Sequence, residues 1–119
     1  MPTDFHVQEE TDDHNIAAAG TSISLGSSVV AVANISIPAG MKATHVMVWG
    51  SHTDITIGVW ECEIDDLTTY NNKGSGAVNT EINITDVNAS NINYLSIQAT
   101  NTNAGNQSIY GGYVTIGAI

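Results

Sequence analysis

From residue 20 onward, apolar and polar residues alternate with a period of two, and turn-forming residues interrupt the alternation roughly every 8–12 positions. A period of two sends successive side chains to opposite faces of a strand, so each run can bury one face against a second sheet. No segment carries the 3.6-residue periodicity of an amphipathic helix. The pattern predicts an all-β fold: an antiparallel two-sheet sandwich, jelly-roll-like.

The runs can be placed one by one. TSISL (21–25) is a first short strand. VVAVANISI (29–37) puts Val29, Ala31, Ala33, Ile35 and Ile37 on one face. It ends at Pro38-Ala39-Gly40, where proline cannot donate to a ladder and glycine accepts the positive φ of a turn. ATHVMVWG (43–50), DITIGVWECEI (54–64), AVNTEINIT (77–85), residues 92–99 and SIYGGYVTI (108–116) complete seven or eight strands. DDLTTYNNKGSG (65–76) reads as a long polar loop, with GSG as its flexible part. Residues 1–19 stand apart. They hold five acids (Asp4, Glu9, Glu10, Asp12, Asp13), and Phe5 and Val7 alternate with polar neighbours. An extended acidic N-terminal arm over 1–19, with an edge strand at 3–8, is expected to precede a β-sandwich domain over 20–119.

Charge narrows the function. Two lysines and no arginine face twelve carboxylates, for a net charge of −10. Such a chain is repelled by phosphate backbones and anionic lipid surfaces, so no nucleic-acid or membrane partner is expected. Only 12% of residues are charged, however. The surface is therefore built mainly from 12 Asn, 13 Thr and 10 Ser, which suits β-structure, dense assembly or carbohydrate contact. The acidic start has neither the basic region nor the apolar core of a secretory leader, and synthesis in a cytoplasm is expected. On that reading the four N-x-[ST] triplets are not glycosylation sites.

The stretch GVWECEIDD (58–66) concentrates chemistry-bearing residues. Ile55, Ile57 and Val59 share a strand face with Glu61 and Glu63, whereas Trp60, Cys62 and Ile64 share the other. The apolar side thus changes between Val59 and Trp60. A bulge or sharp bend near Gly58 is the preferred explanation; the alternative is an unbroken strand whose second face is covered by another subunit. Cys62 reads as a small buried hydrophobe, because flanking carboxylates raise a thiol's pKa and oppose reactivity. Glu61, Glu63, Asp65 and Asp66 lack the spacing of a calcium loop. His6, His14, His45 and His52 show no metal-ligand spacing on one element. No nucleophile motif or phosphate-cradling loop occurs, so no catalytic residue, cofactor or metal is expected. Trp49, Trp60, Tyr70, Tyr94, Tyr110 and Tyr113 could form a sugar-stacking platform, but such residues more often fill a core or an oligomer interface.

The acidic arm, the I-S-I-P-A-G leading into a strand, the Asn/Thr-rich loops and the terminal S-I-Y-G-G-Y-V-T-I together resemble small β-sandwich virion proteins of tailed bacteriophages. Capsid decoration (cement) proteins and tail or fibre proteins are the nearest in style. The resemblance implies a non-enzymatic jelly-roll-like subunit, commonly a homotrimer, located in the virion after synthesis in the host cytoplasm. Its implied partners are the major capsid protein or another virion protein, and it carries over no site residues. The apolar ending VTIGAI, and edges with only Lys42 and Lys73 as basic gatekeepers, fit association between subunits. Phe5, Val7, Trp60, Tyr110, Tyr113 and Ile119 are the candidate interface residues. The alternative is a glycan- or receptor-binding β-sandwich module.

Overall fold

The computed structural model of the chain describes residues 5–7, 14–16, 23–26, 30–102 and 105–119; for 5–7, 14–16, 23–25, 67 and 69 it describes the backbone alone. Ten strands occur among these residues: β1 (Phe5–Val7), β2 (His14–Ile16), β3 (Ile23–Leu25), β4 (Val30–Ile35), β5 (Met41–Gly50), β6 (Ile55–Glu63), β7 (Asp66–Ala77), β8 (Ile82–Asn88), β9 (Asn93–Asn101) and β10 (Gln107–Ala118).

The connectivity is that of a jelly roll. Strands β3, β4, β5 and β6 pair antiparallel with β10, β9, β8 and β7 respectively, as if one long hairpin had been wound over itself. Alternate pairs of that ribbon fall into different sheets, which the β10–β5 and β6–β9 ladders close. The first sheet has the order β1-β4-β9-β6-β7 and the second β2-β3-β10-β5-β8. β1 lies on β4 with Phe5 opposite Ala33, and β2 lies on β3 with His14 opposite Leu25. The predicted all-β antiparallel sandwich is therefore the fold.

The inner faces form one aliphatic core. Ala31 and Ala33 of β4, Val46 and Val48 of β5, Ile55, Ile57 and Val59 of β6, Leu95, Ile97 and Ala99 of β9 and Ile109 of β10 are all buried within it. Fully burying a side chain of this kind contributes roughly 1.5–3 kcal/mol, so the alternation itself supplies most of the driving force. No aromatic residue is buried in the core among the described residues. Of the expectation that Trp and Tyr fill a core or an oligomer interface, the core half is overturned, because β-branched residues and leucine already occupy the space between the sheets.

Three expectations along the middle of the chain change. Nearly all of 65–76, read as a polar loop, belongs to β7 (Asp66–Ala77), hydrogen-bonded to β6 from Thr56–Ala77 to Glu63–Asp66. Its glycines are packing residues. A Cβ at Gly74 would stand 2.9 Å from Ile84 Cγ2, and one at Gly76 would stand 2.8 Å from Ile82 Cγ1. The next strand begins at Ile82, not Ala77; residues before it form a turn in which Asn79 adopts φ 65°. Asn79 holds that turn by accepting from Gly50 N and donating to Gly50 O, both at 3.0 Å.

The third change concerns Gly58. β6 pairs with β9 residue for residue from Ile55–Asn101 to Glu63–Asn93, so there is no bulge or bend at Gly58. The irregularity lies in the neighbouring strand, where Lys73 is the extra residue between Gly74 and Asn72. Trp60 and Cys62 consequently stay on the outer face with Thr56 and Gly58. Glu61 and Glu63 point inward, at the end of the sandwich. There Glu61 accepts from Asn93 Nδ2 at 2.8 Å and meets Lys73 Nζ at 3.4 Å, while Asn93 also donates to Asn88 O across to the second sheet. The inward face ends in a polar plug, which explains the apparent change of apolar side without any kink.

Candidate functional site

The outer face of the first sheet carries a shallow groove of about 350 Å³ across β7, β6 and β9. Its lining is Thr56, Ile57, Gly58, Trp60, Asn72, Ser75, Gly76, Gln98 and Thr100. Strand register brings these residues together. Gly58 stands opposite Gln98 and Ser75, Thr56 opposite Thr100, and Trp60 opposite Asn72. The indole of Trp60 lies over Gly58, with Nε1 3.2 Å from where a Cβ would be. Tyr70, 60% exposed, packs edge-on against the indole with ring centroids 5.5 Å apart and planes at 63°. The result is an aromatic wall on a floor of glycine, hydroxyls and amides.

None of the lining residues is charged. Asn72 donates to Ser75 Oγ at 3.3 Å and to Gly74 O at 3.4 Å, which fixes that rim. Among the described residues, the side chains of Thr56, Gln98 and Thr100 make no hydrogen bond to protein. Such a surface can stack on an apolar face and hydrogen-bond neutral hydroxyls at the same time.

A second aromatic pair occupies the opposite outer face. Trp49 of β5 and Tyr113 of β10 have ring centroids 5.6 Å apart with planes at 58°, and the Tyr113 hydroxyl donates to Glu81 Oε2 at 2.7 Å. That bond to a carboxylate holds the Tyr113 phenol above its ordinary pKa.

Two other depressions lack the Trp60–Tyr70 wall. One of about 520 Å³ at the end of the sandwich is lined by Asn34, Ser36, Asn91 and Tyr94 together with Ile64 and Asn93, whose amide is committed to Ser90, Glu61 and Asn88. Another of about 280 Å³ between the sheets is lined chiefly by Ile35, Ile97, Val114 and Ile116.

The remaining residues singled out in the sequence do not assemble into chemistry. Cys62 is half-buried on the outer face, not a core residue, and hydrogen-bonds with Tyr94. Burial pushes its thiol up, the Tyr94 bond pulls it down, and the Glu61 charge pushes it up again, with the net shift upward. Asp66 Oδ1 accepts from the Thr68 amide and hydroxyl, closing a local turn. His52 Nδ1 accepts from Asp54 N, and His45 Nδ1 meets Thr44 Oγ1 at 2.9 Å. Among the described residues no group of three or more His, Cys, Asp or Glu is placed to hold a metal ion. Of the candidate interface residues, Tyr110, Tyr113 and Ile119 are exposed and Trp60 is half-buried; the side chains of Phe5 and Val7, like those of His6 and His14, lie outside the described residues. Thr56, Asn72, Ser75, Gln98 and Thr100 were not legible as a group, because only the β7-β6-β9 register aligns them.

Comparison with known proteins supports the architecture. The carbohydrate-binding module TmCBM61, solved in complex with β-1,4-galactotriose, superposes with a TM-score of 0.51 over 97% of this chain and 87% of its own, at 11% identity. The secreted serine protease VesC from Vibrio cholerae gives a TM-score of 0.43 over 93% of this chain and 24% of its own, at 16% identity. At these identities the first likeness shows a shared β-sandwich fold. No protein-family model and no curated protein sequence matches the chain.

Proposed function

We propose that this protein is a non-enzymatic glycan-binding β-sandwich module, and that the groove walled by Trp60, with Tyr70 packed against its indole, receives the sugar. One observation carries the reading: an aromatic wall stands beside the polar side chains of Thr56, Gln98 and Thr100, which have no hydrogen-bond partner among the described residues, in a groove without charge. A sugar ring offers an apolar face for the indole and a belt of hydroxyls for the amide and hydroxyl groups. The net charge of −10 selects against anionic glycans, so the ligand class is a neutral oligo- or polysaccharide. A β-sandwich neighbour solved with a galactotriose agrees with that class without specifying it.

The test is affinity electrophoresis and calorimetry against neutral polysaccharides, with wild type and Trp60→Ala compared. Retardation by at least one polysaccharide, reduced about tenfold or more by Trp60→Ala, is expected; tenfold corresponds to about 1.4 kcal/mol. Absence of binding across the panel at millimolar sugar removes the reading.

The second reading is a virion structural subunit acting by oligomeric surface burial. It draws on the bacteriophage resemblance and on the exposure of Tyr110 and Ile119 at either end of β10. A mass of 12.5 kDa by light scattering at tens of micromolar, or failure to sediment with any virion fraction, counts against it.

A further inference from the structure

We propose that the Trp49–Tyr113–Glu81 cluster is a second carbohydrate contact, and that the domain is bivalent for neutral polysaccharide chains. The inference rests on the glycan reading of the Trp60 groove. It concerns the other sheet and a different set of residues.

Strand periodicity places the cluster. Val48 and Gly50 face the core, so Trp49 between them faces outward; Val114 packs against the core, so Tyr113 faces outward beside it. Both rings are large, and both stay exposed, Trp49 at 44% and Tyr113 at 42%. Neither contributes to the aliphatic core. The residue opposite Trp49 in the ladder is Gly111, so no cross-strand side chain covers the indole from that position. Gly111 itself has φ 141°, a conformation that L side chains rarely adopt, so the position is kept bare by the backbone.

Glu81 completes the cluster. Its Oε2 accepts from the Tyr113 hydroxyl, which orients the carboxylate, while its Oε1 has no hydrogen-bond partner among the described residues. A carboxylate oxygen fixed beside an aromatic surface is an acceptor for sugar hydroxyls. Rings tilted by 58° form an open V and not a box, which suits the edge and face of a pyranose better than enclosure of a small cation.

The two contacts lie on opposite outer faces, with both sheets between them. Packed sheets are about 10 Å apart, so contacts beyond both outer faces are separated by roughly 20 Å. A single sugar chain on one face does not reach the other. Two chains are held at once, and the module cross-links them with the avidity that bivalency gives.

The experiment compares wild type, Trp49→Ala, Trp60→Ala and Glu81→Gln, each checked for folding by circular dichroism and for mass by light scattering. Soluble neutral polysaccharides (a β-1,4-galactan, a galactomannan, a xylan) are the probes for turbidity, and their oligosaccharides are the probes for calorimetry. Wild type should bind two oligosaccharides per chain and cross-link polysaccharide into scattering aggregates. Trp49→Ala should bind one and lose cross-linking by at least about tenfold. Glu81→Gln should weaken the second binding event while retaining the fold. One oligosaccharide per wild-type chain, with Trp49→Ala indistinguishable from wild type, overturns the proposal and leaves the Trp60 groove standing. Binding abolished by Trp49→Ala but untouched by Trp60→Ala overturns the bivalency and the Trp60 reading, and locates a single site on the second sheet. No binding by any form overturns both.

Discussion

The indole Nε1 of Trp60 stands 3.2 Å from the position a Cβ would take on Gly58, so the ring rests on the bare backbone two residues before it in the same strand. Residue 58 therefore sets how flat the aromatic wall lies. Gly58→Val should lift the indole, weakening glycan retention by about tenfold, on the order of 1.4 kcal/mol. The thermal midpoint should change little, because the outer face is outside the core. Affinity electrophoresis alongside calorimetric melting checks both halves; unaltered retention shows that the ring's seat on Gly58 is irrelevant to binding.

Gly74 and Gly76 make the opposite case, in which glycine serves stability. A methyl at either position meets an isoleucine of β8 below 3 Å. Gly74→Ala and Gly76→Ala should each destabilise by about 1–3 kcal/mol through overpacking. Urea unfolding curves measure this as a lowered midpoint at constant slope.

Asn79 combines a left-handed backbone with two side-chain bonds to Gly50. Asn79→Ala should cost about 1–3 kcal/mol. Asn79→Gly relieves the backbone component and should recover part of that loss without the hydrogen bonds. Equal stability of the two variants would assign the whole cost to the lost bonds, and full recovery by glycine would assign it to the backbone.

Tyr113 gives a pH dependence of defined sign. Its bond to Glu81 raises the phenol above its ordinary value of about 10, so the folded state favours the neutral phenol. That contribution is present in full below the ordinary value and disappears as pH rises through the higher folded value. From about pH 10 upward the thermal midpoint of wild type should fall more steeply than that of Tyr113→Phe, whereas below about pH 9 the two curves should run parallel. Tyr94 and Cys62 also titrate upward-shifted, but they do so in both proteins and cancel in the difference. Parallel curves would refute a stabilising Tyr113–Glu81 bond.

The upward shift at Cys62 predicts an inert thiol. Alkylation by iodoacetamide near neutral pH should be slower than for free cysteine, because less thiolate is present and the group is half-buried. A rate above that of free cysteine contradicts this.

Local alternation alone is enough to specify the sandwich. Period-two alternation in 29–37, 43–50 and 54–64 assigns one face of each strand to the core, and Pro38-Ala39-Gly40 stops one strand where the structure turns, with Gly40 at φ 78°. It also separated Cys62 from Glu61 and Glu63, which do face opposite ways. What the alternation cannot carry is which strand lies beside which. Residues 65–76 lack the apolar face of a core strand, so local pattern reads them as a loop, whereas β7 is an edge strand that offers glycines to Ile82 and Ile84. The reversal at Val59–Trp60 looked like a kink because the polar plug of Glu61, Asn93 and Lys73 is built from three strands. The groove follows the same logic. Gln98 and Thr100 are ordinary polar residues until the β6–β9 register sets them across from Gly58 and Thr56, and long-range pairing is a property of the tertiary structure alone.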